Sequence, residues 1–170
     1  DSGATYVFAR SGAAWTQQAK LTATDGVVND HMGKAVAISG DYAVIGAYLE
    51  DASGTSSGSA YVFVRSGTDW TQQVKLTASD GIASDGFSSS VSVSGDYAIV
   101  GAASEDVMGS ASGSAYIYER SGTTWLQTVK VSASDGVAND WFGNAVSISG
   151  TVALIGASQE DVMGSASGAA

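Results

Sequence analysis

Twelve acidic residues recur at fixed spacing along the chain and are the residues best able to do chemistry together. Carboxylates beside Gly-rich backbone suit Ca²⁺, which takes about 6–8 oxygen ligands. A dense acidic surface could instead attract a cationic partner, and Asp in Asp-Gly or Asn-Asp pairs also forms turns by bonding its own backbone. All three interpretations stay open at this point. The candidates are Asp25, Asp30, Glu50, Asp51, Asp80, Asp85, Glu105, Asp106, Asp135, Asp140, Glu160 and Asp161.

Three further residues break a regular pattern and are candidates for contacting a ligand. His31 and Trp141 occupy one repeated position, at which the middle of the chain has Gly86, and Tyr48 occupies another variable position. A Trp in a loop, such as Trp141, could stack on a sugar, whereas His31 also fits tolerated loop variation. The recurring Trp residues have a different expectation, since large aromatic side chains usually pack in cores. They are Trp15, Trp70 and Trp125.

The sequence contains few residues of the types that carry out catalysis. The chain has no Cys and one His, which excludes a thiolate nucleophile and a zinc site with several His ligands. An active site needs one asymmetric cluster of groups with shifted pKa values, but this chain repeats near-identical residues at equivalent positions. We therefore expect that the protein is not an enzyme.

The charge balance also limits the partners. Lys and Arg total 7 against 17 Asp and Glu, a net charge of -10, whereas nucleic-acid binding depends on cationic side chains that neutralise phosphates. The apolar runs are only a few residues long, far short of the roughly 20 that a membrane-spanning helix needs. We expect neither nucleic acid as a partner nor membrane insertion.

The elements that position these residues come from an internal repeat. The 170 residues form one repeat domain, 1–170, with three gapless units of 55 residues, at 6–60, 61–115 and 116–170. Residues 1–5 are equivalent to residues 166–170. A period of this length is typical of propellers, solenoids and arrays.

Each unit carries four strand patterns, which in the first unit fall at Tyr6–Arg10, Trp15–Ala23, Lys34–Ser39 and Tyr42–Ala47. The segment from Trp15 alternates between apolar and polar residues, which predicts an outermost strand with one face in water. The segment AVAIS is nearly all small or apolar, which predicts an inner strand buried on both faces. The fold class is therefore all-β, with propeller-type blades of four antiparallel strands.

The segments DWFGNAVSISGTVALIGA (140–157) and DGFSSSVSVSGDYAIVGA (85–102) resemble the FG-GAP repeat of bacterial surface proteins, which is related to the blades of integrin α-subunits. Phe142-Gly143 matches the Phe-Gly of that repeat, and Gly46-Ala47 matches its Gly-Ala. The resemblance implies a β-propeller, an extracellular or cell-surface location, and adhesion or binding of a ligand. The calcium loop of integrin blades is missing between the two inner strands, so the family's calcium site is not carried over.

The phase of the repeat predicts half-blades at both ends. The first two strands lack inner neighbours and the last two lack outer neighbours, so the two halves are complementary. Unpaired strand edges invite pairing with another chain. We expect the join to use Tyr6, Val7 and Phe8 on one side and Val152, Leu154 and Ile155 on the other.

Two functions follow from these patterns. The first is a non-enzymatic module that binds a protein or glycan through its variable loops. The second is a structural subunit that pairs head to tail with copies of itself, or with further repeats of a longer array, in a ring or a filament. Calcium is a cofactor in neither unless the acidic loops bind it.

Overall fold

The computed structural model describes residues 1–160, which form strands, turns and loops. This part of the chain contains no helix, and so none that could cross a membrane. The strands in chain order are β1 Thr5–Ser11, β2 Ala14–Leu21, β3 Val36–Ser39, β4 Tyr42–Ala47, β5 Ser59–Ser66, β6 Asp69–Leu76, β7 Ser90–Ser94, β8 Tyr97–Ala102, β9 Ser114–Ser121, β10 Thr124–Val131, β11 Phe142–Ser149 and β12 Val152–Ala157.

These strands form two complete blades between two half-blades. The complete blades are four-stranded antiparallel sheets in the orders β3-β4-β5-β6 and β7-β8-β9-β10. The half-blades are the two-stranded sheets β1-β2 and β11-β12. The predicted all-β class is confirmed, and the strand that begins at each recurring Trp is the outermost strand of its blade, as expected.

Two-residue turns join the strands within each half of a blade. Gly12-Ala13 separates the paired residues Ser11 and Ala14, and Gly40-Asp41 joins β3 to β4. Gly12 and Gly40 have φ values of 61° and 58°, in the left-handed region that glycine enters without a steric penalty. The twist of such turns matches the twist of the strands they connect.

The outer strands are less regular than the alternating sequence predicts. The register shifts between Val7 and Phe8, which pair with Ala19 and Gln17, so Gln18 is an extra residue in a β-bulge. The same shift recurs in β6 and β10. Gln18 is half-buried, and its side chain accepts a hydrogen bond from Trp70 in the next blade, at 3.0 Å, so this polar residue does not lie on a fully solvated face.

The main core lies between the two complete blades and includes Val93 of β7. The prediction that the inner strand is buried on both faces is wrong for β3, and in β7 only the face of Val91 and Val93 is buried while the serines of the other face are half-buried. Ile38 of β3 is 62% exposed, whereas Val93 at the same repeat position is 7% exposed. The difference arises because the inner strands of the preceding blade cover β7, while only β1-β2 precedes β3. The strand predicted from Lys34 also begins later, at Val36.

Candidate functional site

Lysines of the outer strands hold the acidic loops together. Lys75 Nζ donates hydrogen bonds to Asp25 Oδ2 at 2.9 Å and to Glu50 Oε1 at 2.7 Å. Lys130 makes the same pair of contacts one unit later, with Asp80 Oδ2 at 2.7 Å and Glu105 Oε1 at 2.9 Å. In the first two units, one Asp and one Glu therefore meet on one side of a blade, where a lysine bridges them.

These ion pairs shift the pKa values of their members. Burial opposes ionisation of Asp25 and Asp80, but the hydrogen bonds and charges of Lys75 and Lys130 outweigh it and lower the pKa of each carboxyl below its ordinary value of 3.8. Burial acts to lower the pKa of Lys75, and its hydrogen bonds to Glu50 and Asp25 reverse the direction and raise it. The charged forms are therefore the stable ones near neutral pH.

A second group of acids closes the loops that lead from blade to blade. Asp30, Asp85 and Asp140 are buried, and each accepts a hydrogen bond at Oδ2 from the backbone N–H three residues earlier, at 2.6–2.8 Å. Burial raises the pKa of Asp85, and the backbone hydrogen bond from Ile82 only partly offsets this effect. These contacts are the turn-forming ones that the Asp-Gly and Asn-Asp pairs indicate.

The adjacent Glu-Asp pairs also bond their own loops. Glu50 accepts from the N–H of Ala52 and from Ser59 Oγ, and Asp51 accepts from the N–H of Ser56. The equivalent acids of the second unit do the same, at Glu105 and Asp106.

The metal and cationic-partner interpretations are not tested by these contacts. Within residues 1–160, no three His, Asp or Glu side chains are grouped to hold a metal ion. Asp135 and Glu160 lie at the repeat positions of the bridged acids, and Asp161 lies outside the described residues. Calcium binding and attraction of a cationic partner stay predictions.

In the first unit, two of the variable loop residues lie close together. The rings of His31 and Tyr48 are 5.9 Å apart, and Lys34 Nζ lies 5.6 Å from the centre of the Tyr48 ring. Trp141 stands apart in the third unit and is exposed. His31 and Trp141 have φ values of 56° and 58°, so both bulky residues adopt the left-handed conformation that suits Gly86 at the same position.

The two half-blades expose side chains that the complete blades bury. In β1, Tyr6 is 51% exposed, whereas Tyr61 at the same repeat position is completely buried. In β12, Leu154 is 65% exposed, whereas Ile99 is completely buried. Since the residue types are nearly the same, the difference comes from the missing neighbour strands rather than from the sequence.

Grooves lie beside both open edges. One groove of about 280 Å³ runs between β1 and the face of β3-β4 and is lined by Phe8, Val36 and Ile38 among others. Another of about 240 Å³ lies between β8-β9 and the β11-β12 hairpin, where Tyr97 and Ala153 line it. At the equivalent places of a complete blade, the inner strands fill the space beside β1, and the outer strands fill the space beside the β11-β12 hairpin.

The direction of the backbone N–H groups of β1 follows from the equivalent strands β5 and β9. The N–H of Arg65 donates to Asp41 O at 2.8 Å and that of Arg120 to Asp96 O at 2.7 Å, both in the inner hairpin of the same blade. N–H groups alternate in direction along a strand. Those of Arg10, Phe8 and Tyr6 therefore point to the open edge, and that of Val7 points to β2.

The profile of the FG-GAP repeat matches this chain at residues 15–63, 70–118 and 125–170. The three matches begin at residues 55 apart and cover most of the sequence. The chain belongs to the FG-GAP repeat family. This confirms the resemblance seen in the sequence, and the two complete blades are of the propeller type that the FG-GAP repeat builds. No curated protein matches the chain significantly.

The residues that name the FG-GAP repeat lie where blades touch through their backbones. A Cβ atom at Gly46 would collide with Ser88 O of the next blade, and one at Gly101 would collide with Gly143 O. Gly143 has a φ of 89°, and Ser88 adopts a φ of 73° at the same position. Neighbouring FG-GAP blades therefore approach too closely for any residue larger than glycine at the positions of Gly46 and Gly101.

Several contacting residues escaped the sequence analysis. Lys75 and Lys130 bridge the acids, and their recurrence with those acids at the same period is the signal in the sequence that could have revealed the bridges. Arg120 donates to Gly122 O at 2.9 Å, and Arg65 and Arg120 pair with Asp41 and Asp96 of their own blades.

Proposed function

We propose that this chain is a non-enzymatic, extracellular FG-GAP module that assembles head to tail. The β11-β12 hairpin of one copy, called here the preceding copy, completes the blade that β1-β2 of the next copy begins. The observation that carries the proposal is the difference in exposure at equivalent positions. Tyr6, Phe8 and Leu154 are exposed at the open edges, whereas the residues at the same repeat positions in the complete blades, Tyr61, Phe63 and Ile99, are buried.

The complete blades define the register of this join. Val44 of β4 pairs with Val62 of β5, and Ile45 pairs with Tyr61. Transferred by the 55-residue period, Leu154 of the preceding copy lies opposite Val7, and Ile155 opposite Tyr6. Main-chain hydrogen bonds then supply affinity and the alternating side chains supply the register, as in other strand-addition complexes.

The grooves receive the side chains that the join introduces. Leu154 enters the groove beside Val36 and Ile38, since its equivalent Val44 packs in the core between the two complete blades. Trp15 enters the groove beside Tyr97, since Trp125 contacts Tyr42 with ring centres 6.0 Å apart. A head-to-tail interface closes into a ring or continues as a filament. Two copies would supply six blades, within the range of about 4–8 that propellers use.

A disulfide across the join tests the proposal directly. The chain has no Cys, so the double variant Val7→Cys, Leu154→Cys introduces the only thiols. We expect covalent dimers or ladders on oxidation, because opposed residues on neighbouring strands lie within disulfide reach. The matched control is Val7→Cys, Ile155→Cys, whose side chains lie on opposite faces of the sheet and should not cross-link. Equal cross-linking of both pairs, or of neither, would overturn the register.

Backbone pairing is tested separately with proline. Phe8→Pro removes an N–H that points to the open edge, whereas Phe8→Ala removes the ring and keeps the N–H. We expect sedimentation to show a monomer for Phe8→Pro and only weakened assembly for Phe8→Ala. Proline at Val7 would instead interrupt the pairing of β1 with β2. A wild-type chain that stays monomeric at high concentration would refute the assembly.

Binding of a protein or glycan is the second candidate function. The contact between His31 and Tyr48, with Lys34 beside it, supports it, as does the unusual backbone of His31 and Trp141. A glycan array tests this function, with His31→Gly and Trp141→Gly as variants that keep the left-handed backbone. Binding that survives both changes would place the ligand elsewhere. Digestion of intact cells by added protease tests the extracellular location.

A further inference from the structure

We propose that Lys20 binds Asp135 and Glu160 of the preceding copy and so makes the join selective for charge. This inference rests on the assembly proposed above. Lys20 stands at the repeat position of Lys75 and Lys130, which both bridge two carboxylates. The period assigns Asp135 and Glu160 to Lys20, as it assigns Asp80 and Glu105 to Lys130.

The geometry of Lys20 is already that of the bridging lysines. Its Nζ lies 5.7 Å from the centre of the Tyr6 ring, and Lys75 and Lys130 lie 5.6 and 5.4 Å from the rings of Tyr61 and Tyr116. Within residues 1–160, however, Lys20 forms no salt bridge. The cation is therefore held in place beside an aromatic ring before a partner arrives.

Asp135 is the complementary half of this contact. It is exposed in the loop that enters the β11-β12 hairpin, at the position from which Asp80 binds Lys130. Asp80 also accepts a hydrogen bond from Tyr116 Oη at 3.0 Å. Tyr6 and Asp135 stand at the repeat positions of Tyr116 and Asp80, but this bond is not part of the proposed contact, because within the described residues the hydroxyl of Tyr61 at the same position makes no hydrogen bond.

The join lacks two contacts that an internal blade has, so the contact of Lys20 with Asp135 and Glu160, called here the clamp, contributes a larger share of the binding at the join. Asp41 and Asp96, which pair with Arg65 and Arg120, correspond to Thr151 at the join, so Arg10 meets no acid. The Gln residues that accept from Trp70 and Trp125 correspond to Thr128. Of the ion pairs that bind an outer strand to its blade, the lysine bridge is the one retained at the join.

Charge exchange tests the clamp. Lys20→Glu and Asp135→Lys each place like charges together at every join, and we expect each variant to associate at least about tenfold more weakly than wild type in sedimentation velocity. An equimolar mixture can form alternating joins in which Lys20 meets Asp135 and the two new side chains meet each other. The mixture should recover assembly. Asp69→Lys is the matched control for Asp135→Lys, because it makes the same charge change on an exposed residue of a complete blade.

The outcomes separate the clamp from the assembly. If wild type and Lys20→Glu assemble equally well, the clamp is wrong and the assembly stands. If both single variants are monomeric and their mixture is too, Lys20 and Asp135 do not meet. A wild-type chain that never associates overturns both the assembly and the clamp. Melting curves of dilute samples check that the variants stay folded.

Discussion

Truncation of two tryptophans at the same repeat position should have very different consequences. Trp125 is 6% exposed, whereas Trp15 is 66% exposed. Trp125 packs edge-on against Tyr42 of the preceding blade and donates from Nε1 to Gln73 at 3.0 Å. Within residues 1–160 no blade precedes β1-β2, so no such surface covers Trp15.

The expected magnitudes follow from these burials. A Trp side chain that loses nearly all of its contact with water buries roughly 200 Å², which at about 25 cal/mol per Å² is about 5 kcal/mol. Measured Trp→Ala substitutions in cores cost about 3–5 kcal/mol, so Trp125→Ala should lower the free energy of unfolding by about 4 kcal/mol. Trp15→Ala leaves a mostly exposed site and should cost about 1 kcal/mol.

The assay is chemical denaturation at a concentration where sedimentation shows a monomer. There the two variants should differ by about 3 kcal/mol, well above the error of extrapolation. At high concentration, where we propose that copies associate, Trp15→Ala should weaken association more than Trp125→Ala, because it empties the groove beside Tyr97. Equal destabilisation by both variants in the dilute sample would refute the reasoning, because Trp15 would then already be packed within one copy.

Three further predictions concern the acidic loops. Asp80→Asn should lower the free energy of unfolding by about 1 kcal/mol or less, because it breaks the ion pair with Lys130. Asp85→Asn should leave the free energy of unfolding unchanged or raise it, because the amide oxygen keeps the backbone hydrogen bond without a buried charge. Denaturant titration measures both values. The pKa values of Asp25 and Asp80 are lower in the folded chain than in the unfolded one, so the stability that they contribute is complete above about pH 4 and is lost as the pH falls through the folded pKa values. The raised pKa of Asp85 has the opposite effect. In an acid titration, the free energy of unfolding of Asp80→Asn should therefore depend less on pH than that of wild type. Because Lys75 and Lys130 occupy the carboxylates of their units, we expect the same melting temperature in chelator and in millimolar Ca²⁺, and a rise with Ca²⁺ that Asp80→Asn abolishes would show a metal site instead.

Local features of the sequence were sufficient to predict the blades. The period of 55 residues, the Gly-centred two-residue turns and the apolar inner segments indicated four strands per unit, and the structure has them in that order. These signals are readable because a strand and its hairpin partner are close in sequence. The open edges were predicted as well, since the phase of the repeat does not depend on how the blades pack.

Contacts between distant segments needed the tertiary structure. Trp70 meets Gln18, and Lys75 meets Asp25, about one unit apart in sequence. Such pairs depend on the β-bulge at Gln18 and on the rotation between blades, neither of which leaves a signature in one unit. A carboxylate that a lysine bridges looks in the sequence like any other exposed acid, so only the structure shows which acids are paired.

The sequence by itself determined the number and order of the strands, because turns and alternation are local properties of the backbone and side chains. The tertiary structure alone decided which of those residues are buried. Ile38 and Val93, or Trp15 and Trp125, have almost the same local sequence and opposite exposure, because burial depends on whether a neighbouring blade covers the residue. For the same reason, the residues exposed at the two ends are the ones to which we assign the proposed join between copies.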